Sequence, residues 1–174
     1  MSGDKNMDRR RLLVSIAASG ALAKWPALAA VASVVDGSTT SYSLFSPSQA
    51  ELMESLVEQF VPADDFPGAR SAGVVHYIDQ KLTGPYGSFL VARYEAGLKQ
   101  MDEVSRQRFQ RDFAALDSGQ QSSVLQAIAD EAYGADAHEF LETALYDTFE
   151  GYYGRPEDGG NRNGASWKMI GFRG

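Results

Sequence analysis

Cysteine is absent from all 174 residues. That excludes disulfides, thiolate metal sites, iron–sulfur ligation and covalent haem attachment through paired cysteines, so any redox centre served by this chain belongs to another one. Histidine occurs only as His76 and His138. No phosphate-binding loop, no nucleophile elbow and no glycine fingerprint between a strand and a helix can be read; Gly159-Gly160 follows no strand and opens no helix. β-Branched residues nowhere alternate with polar ones, which leaves an all-α reading, and no internal repeat is evident. No apolar run reaches the roughly 18 residues needed to cross a bilayer.

What is present is ordinary globular composition, with 44% apolar and 22% charged residues, enough for one domain with a real core. Charge is unevenly placed. Five basic and two acidic side chains fall in the first 29 residues, a net of +3, so the remaining chain carries −10 of the overall −7. An acidic domain of this kind points to proteins or small molecules as partners and away from nucleic acid and anionic lipid.

The first 29 residues are an address. Asp8-Arg9-Arg10-Arg11-Leu12-Leu13 leads into an apolar run from Leu12 to Ala23, then Lys24-Trp25-Pro26 and Ala27-Leu28-Ala29. A basic region, an apolar stretch of about a dozen residues and an A-x-A site are the parts of a secretory signal. Arg9-Arg10-x-Leu12-Leu13 is similar to the twin-arginine consensus, with Asp8 where Ser or Thr is more usual. The run is rich in Ala, Gly and Ser, and Lys24 precedes the cleavage region. Ala30-Val31-Ala32 is a second cleavage triplet, and an uncleaved anchor is the competing reading. The twin-arginine route carries folded cargo, which a small cysteine-free domain needs only if it crosses with a partner holding a cofactor. The expected location is therefore the periplasm.

Residues 30–45 read as a Ser, Thr and Gly rich linker or extended arm, and 46–174 as a helical domain of about five helices. Ser46-Pro47-Ser48-Gln49 is a capping box with proline at the first helical position. Leu52, Met53, Leu56, Val57 and Phe60 follow at helical spacing until Pro62. Val74 to Leu82 predicts a second helix, Phe89 to about Phe113 a third, and a stretch from Asp117 or Ser118 through Ala129 a fourth. Asp136-Ala137-His138-Glu139 reads as a capping box for a fifth, running through Phe149. The last two dozen residues hold seven glycines, Pro156, Asn161 and Asn163 beside Tyr152, Tyr153, Trp167 and Phe172. That composition predicts ordered irregular structure, either folded on its own core or presenting rings to another protein.

Two groups of residues compete for chemistry. Asp64 and Asp65, with Glu58 or Asp79 nearby and His76 on the next helix, would suit a metal or an acid–base pair; adjacent acids in a Pro-Gly loop equally cap turns. A stand-alone periplasmic enzyme or ligand-binding protein using Asp64, Asp65 and His76 is the reading they support. His138, in the first turn of its helix, is expected at the surface, and His76 inside among apolar residues.

The C-terminal block is the more specific signal. Phe149-Glu-Gly-Tyr-Tyr-Gly, Pro156-Glu, Gly159-Gly160-Asn161, Trp167-Lys168 and Gly171-Phe172, with Val61-Pro62-Ala63-Asp64 and Ala72-Gly73-Val74-x-x-Tyr77-Ile78-Asp79, resemble the small (subunit 3, or γ) subunit of membrane-bound gluconate 2-dehydrogenase. The resemblance runs from about Phe45 to Gly174. It implies a heterotrimer in which a large flavoprotein binds FAD and oxidises a sugar or sugar acid, and a multi-haem cytochrome c anchors the complex to the membrane. The small subunit, without a cofactor of its own, assists folding of the flavoprotein and carries it to the translocon. It further implies partner-binding roles for Tyr152, Tyr153, Pro156, Gly159, Gly160, Asn161, Trp167 and Phe172. Several sugar and sugar-acid dehydrogenases share this organisation, so the substrate is not legible in this chain.

Overall fold

The computed structural model describes residues 41–173. The leader, with Arg9, Arg10, Leu12 and Leu13, and residues 30–40 of the expected 30–45 arm lie outside the described residues. Six α-helices follow in order: α1 (Pro47–Phe60), α2 (Val74–Thr83), α3 (Val91–Phe109), α4 (Ser118–Ala129), α5 (Ala135–Tyr153) and α6 (Ala165–Ile170). Single 3-10 turns lie at Ser88–Leu90, Phe113–Ala115, Pro156–Asp158 and Arg162–Gly164, and no strand occurs among the described residues. The fold is all-α, with one helix more than the spacing of apolar residues suggested.

Helix α5 is the axis of the packing. It lies against α2 and α3, with α1 and α4 completing the bundle. Its buried stripe, Phe140, Leu141, Ala144, Thr148 and Tyr152, recurs at three- and four-residue intervals. Gly97 lets α3 approach α5 closely, because a Cβ there would sit 2.0 Å from the ring of Phe140. Tyr94 stacks edge-on to the same ring at 5.5 Å.

Local chemistry sets the helix ends. Ser46 and Asp117 each complete a capping box, with Gln49 and Gln120 reaching back to the cap amide. The box read at Asp136–Glu139 does not form. Gly134, at φ 93°, turns the chain two residues earlier and α5 starts at Ala135 without a side-chain cap. Asp136 then lies in the first turn, where its charge still favours the helix N-terminus. The third helix ends at Phe109 because Gln110 adopts a left-handed conformation, and Phe113 belongs to a separate turn with its ring fully buried.

The folded unit begins at Tyr42. Asp79 on α2, almost fully buried, accepts hydrogen bonds from three successive backbone amides, Ser43 at 2.7 Å, Leu44 at 2.8 Å and Phe45 at 3.1 Å. The Phe45 ring enters the core beside Tyr94. The end of the expected linker is therefore part of the domain. Asp79 fastens it, and so stands apart from Asp64 and Asp65.

A second buried carboxylate joins three helices. Asp147 on α5 accepts from the Tyr94 hydroxyl on α3 at 2.7 Å and from Lys81 Nζ on α2 at 2.8 Å; Lys81 also bonds Glu150. Burial would lower Lys81, but the hydrogen bonds to Asp147 and Glu150 outweigh it and hold the ammonium above its ordinary range. Tyr94 is pushed well up, first by burial and then by the Asp147 charge. Burial also raises Tyr42, Tyr77 and Tyr152, with Glu54 and Glu150 adding to the first two.

All these groups keep protons in the folded state that the unfolded chain releases near its reference values. The folded state therefore binds more protons at high pH, so stability is fully present below about pH 10 and falls above it. Denaturant midpoints should be flat to about pH 9 and then decline. The late part of the tyrosinate absorbance titration, from Tyr42, Tyr77, Tyr94 and Tyr152, should coincide with loss of helical circular dichroism. Ionisation of all four in a chain still fully helical would contradict this assignment.

Candidate docking surface

The acids and imidazole considered for chemistry are engaged locally. Asp64 forms a turn, its Oδ1 accepting from the Phe66 amide at 2.8 Å while its own amide donates to the Phe66 carbonyl. Glu58 holds the same loop through the amides of Ala63 and Arg70. Asp65 is exposed. His76 on α2 is half-buried rather than enclosed; its Nε2 is 2.9 Å from the Gln80 amide nitrogen and its ring faces Tyr42 at 6.5 Å. No hydrogen bond or ion pair joins His76 to Asp64 or Asp65 among the described residues, and no three His, Cys, Asp or Glu side chains there could hold a metal ion. His138 is half-buried and lies 3.8 Å from Glu142.

The C-terminal block divides in two. Tyr152, Gly160 and Asn161 are buried and build the segment's seat. The Tyr152 ring is 1% exposed, and its hydroxyl donates to the Pro67 carbonyl at 2.7 Å, so it is a core residue that ties α5 to the loop after α1. Gly160 runs so close to α5 that an added Cβ would lie 2.3 Å from the Gly151 carbonyl oxygen. Asn161, itself in a left-handed conformation, donates to the Gly154 carbonyl and accepts from the Ser166 amide, which places α6. The Arg162 amide closes onto the Ala72 carbonyl ahead of α2. Pro156 opens a 3-10 turn that Gly159 ends in the left-handed region, against Gln80 and His76.

The other half faces outward. Tyr153 at 44%, Ile170 at 60% and Phe172 at 54% are exposed, and Trp167 is half-buried. The Trp167 indole N–H donates to the Tyr153 carbonyl at 3.1 Å, and its ring meets Phe172 edge-on at 5.1 Å. Tyr153 continues to Phe149 at 6.3 Å. These contacts make one continuous apolar face. The expectation that the segment is irregular fails at α6. Its glycines are not interior, since Gly164 and Gly171 bracket the helix in left-handed conformations and leave Ala165–Ile170 free to coil.

Sequence reading missed Ile170 and the charges around it. Between Ser41 and Asp158 acids outnumber bases 20 to 8, while residues 159–174 hold Arg162, Lys168 and Arg173 and no acid. A charge count by segment would have found them. Also missed were Tyr86 and Tyr146, at 88% and 69% exposure, of which Tyr146 lies under the Lys81 ammonium at 5.8 Å. Phe89, read as the first apolar position of the third helix, lies instead in the 3-10 turn before α3 and is 77% exposed. Among the described residues no helix is long and apolar enough to cross a membrane.

No curated protein and no solved structure matches the chain. The family model described as gluconate 2-dehydrogenase subunit 3 does match, over residues 47–174, which takes in all six helices, both buried carboxylates and the aromatic face. The chain belongs to the gluconate 2-dehydrogenase subunit 3 family.

Proposed function

We propose that this chain is a non-catalytic accessory subunit of a periplasmic FAD-dependent sugar or sugar-acid dehydrogenase, which docks on the flavoprotein subunit and escorts it through the twin-arginine translocon on its own leader. FAD belongs to that partner, and haem to a multi-haem cytochrome c subunit through which the complex associates with the membrane. The observation that carries the reading is the family match, which spans the whole six-helix core and the block that ends it. Two further features support it. The chain presents a continuous aromatic face on a tightly braced segment, as protein interfaces do. The polar groups best placed by the fold, Asp79 and Asp147, are spent on holding helices and backbone together.

The test is the leader. In cells making this chain and its flavoprotein, changing Arg9→Lys and Arg10→Lys together should leave both in the cytoplasm on fractionation, because the flavoprotein travels on this signal alone. A flavoprotein that still reaches the periplasm would defeat the escort reading.

A further inference from the structure

The outward half of the C-terminal block carries both shape and charge. Its apolar face is braced from beneath by Tyr152, Gly160 and Asn161, so it offers rings with little ordering cost on binding. Arg162, Lys168 and Arg173 are all exposed, and none makes an ion pair among the described residues. The earlier part of the domain differs. Of its eight basic side chains, Arg70, Lys81, Arg93, Lys99, Arg106 and Arg155 all lie against carboxylates. Arg108, bonded to Ser123, and Arg111 complete the eight, so residues 159–173 stand out as a stretch with three bases outside any ion pair and no acid, two of them, Lys168 and Arg173, next in sequence to Trp167 and Phe172.

We infer that the face of Tyr153, Trp167, Ile170 and Phe172 is where the flavoprotein seats, and that it accepts an apolar recess rimmed by carboxylates. The inference rests on the accessory-subunit reading and adds to it the surface used and the chemistry of what meets it. Charge decides among occupants. A second copy would bring the same cations against themselves, which like-charge juxtaposition penalises. An anionic lipid surface would attract these three cations but be repelled by the 20 acids against 8 bases behind them. A protein recess with carboxylates only at its rim engages the face and leaves the rest of the domain in solvent.

The experiment uses the full chain with its flavoprotein, co-produced and purified through a tag on this subunit. Ile170→Ala with Phe172→Ala should keep the thermal midpoint of the subunit and weaken flavoprotein capture about thirtyfold or more, as loss of aromatic anchors at an interface does. Lys168→Glu with Arg173→Glu should slow association and flatten its dependence on salt. Tyr86→Ala, a more exposed ring in the turn after α2, should change neither. If the double alanine variant holds the flavoprotein as firmly as the native chain, this face is not the seat, although the accessory reading stands. If the native chain captures no flavoprotein, the reading and the inference fall together. Two other results also overturn the inference: co-sedimentation with phosphatidylglycerol vesicles, or dimerisation in light scattering, abolished by the same substitutions while flavoprotein capture is unchanged.

Discussion

Tyr152→Ala is expected to lower the stability of the domain by about 3 to 5 kcal/mol, a fall in thermal midpoint of roughly 10 to 20 °C. Phe172→Ala, twenty residues further on, should stay within about 0.5 kcal/mol of the native protein. The two aromatics belong to the same glycine-rich block, and only their surroundings separate them. Tyr152 is enclosed and its hydroxyl satisfies the Pro67 carbonyl, so truncation leaves a cavity beneath the segment and an orphaned acceptor. Tyr152→Phe, which keeps the ring, should cost about 1 kcal/mol. Thermal unfolding by circular dichroism measures all three. A Tyr152→Ala domain as stable as the native one would mean that the block is not seated on α5 as described.

Asp147→Ala should be nearly as damaging, at about 3 to 5 kcal/mol, because it removes one member of a buried ion pair and strands the others. The Tyr94 hydroxyl, with no exposed surface, loses its acceptor, while Lys81 keeps only the more exposed Glu150. Since the Lys81 side chain is 20% exposed, water recovers part of its loss, and the lower end of that range is expected. Non-additivity is the sharper readout. Tyr94→Phe should cost about 1 to 2 kcal/mol alone and close to nothing in the Asp147→Ala background. Fully additive effects in denaturant titrations would show that the hydroxyl and the carboxylate are not partners.

Local signals in the chain resolved much of this architecture. The box at Ser46, the apolar spacing that starts a helix at Asp117 or Ser118, and the punctuation by Pro62 and by Thr83-Gly84-Pro85 place three helices to within a residue or so, because such signals act over about one turn and need no tertiary context. The second box, at Asp117, emerged only in the structure. Where a signal depended on a neighbour's conformation it misled. Asp136 has the residue types of a cap, yet the backbone turn is already made at Gly134. Helix α6 was hidden because glycines were counted in bulk, when what matters is that they fall at its two ends. The division of the aromatic block was beyond any local reading. Tyr152 and Tyr153 are adjacent and alike, and only the helical phase of α5 against the Pro67 loop decides which points inward. Asp147 went unread although it falls at the buried phase of α5, three residues after Ala144 and four before Gly151.

The fastening of residues 43–45 by Asp79 bears on how the domain would answer a mechanical load. A pull on the chain at Tyr42 does not peel α1 from its first turn, because three amides must let go of one carboxylate before Ser46 is reached. Bonds that share a single anchor are loaded together rather than in succession, and here the anchor sits inside the bundle on α2. Tension applied from the N-terminal side therefore passes directly into the middle of the core. A helper drawn along by its leading end would feel the force at a buried side chain on α2, with the capping box of α1 shielded from strain until Asp79 yields.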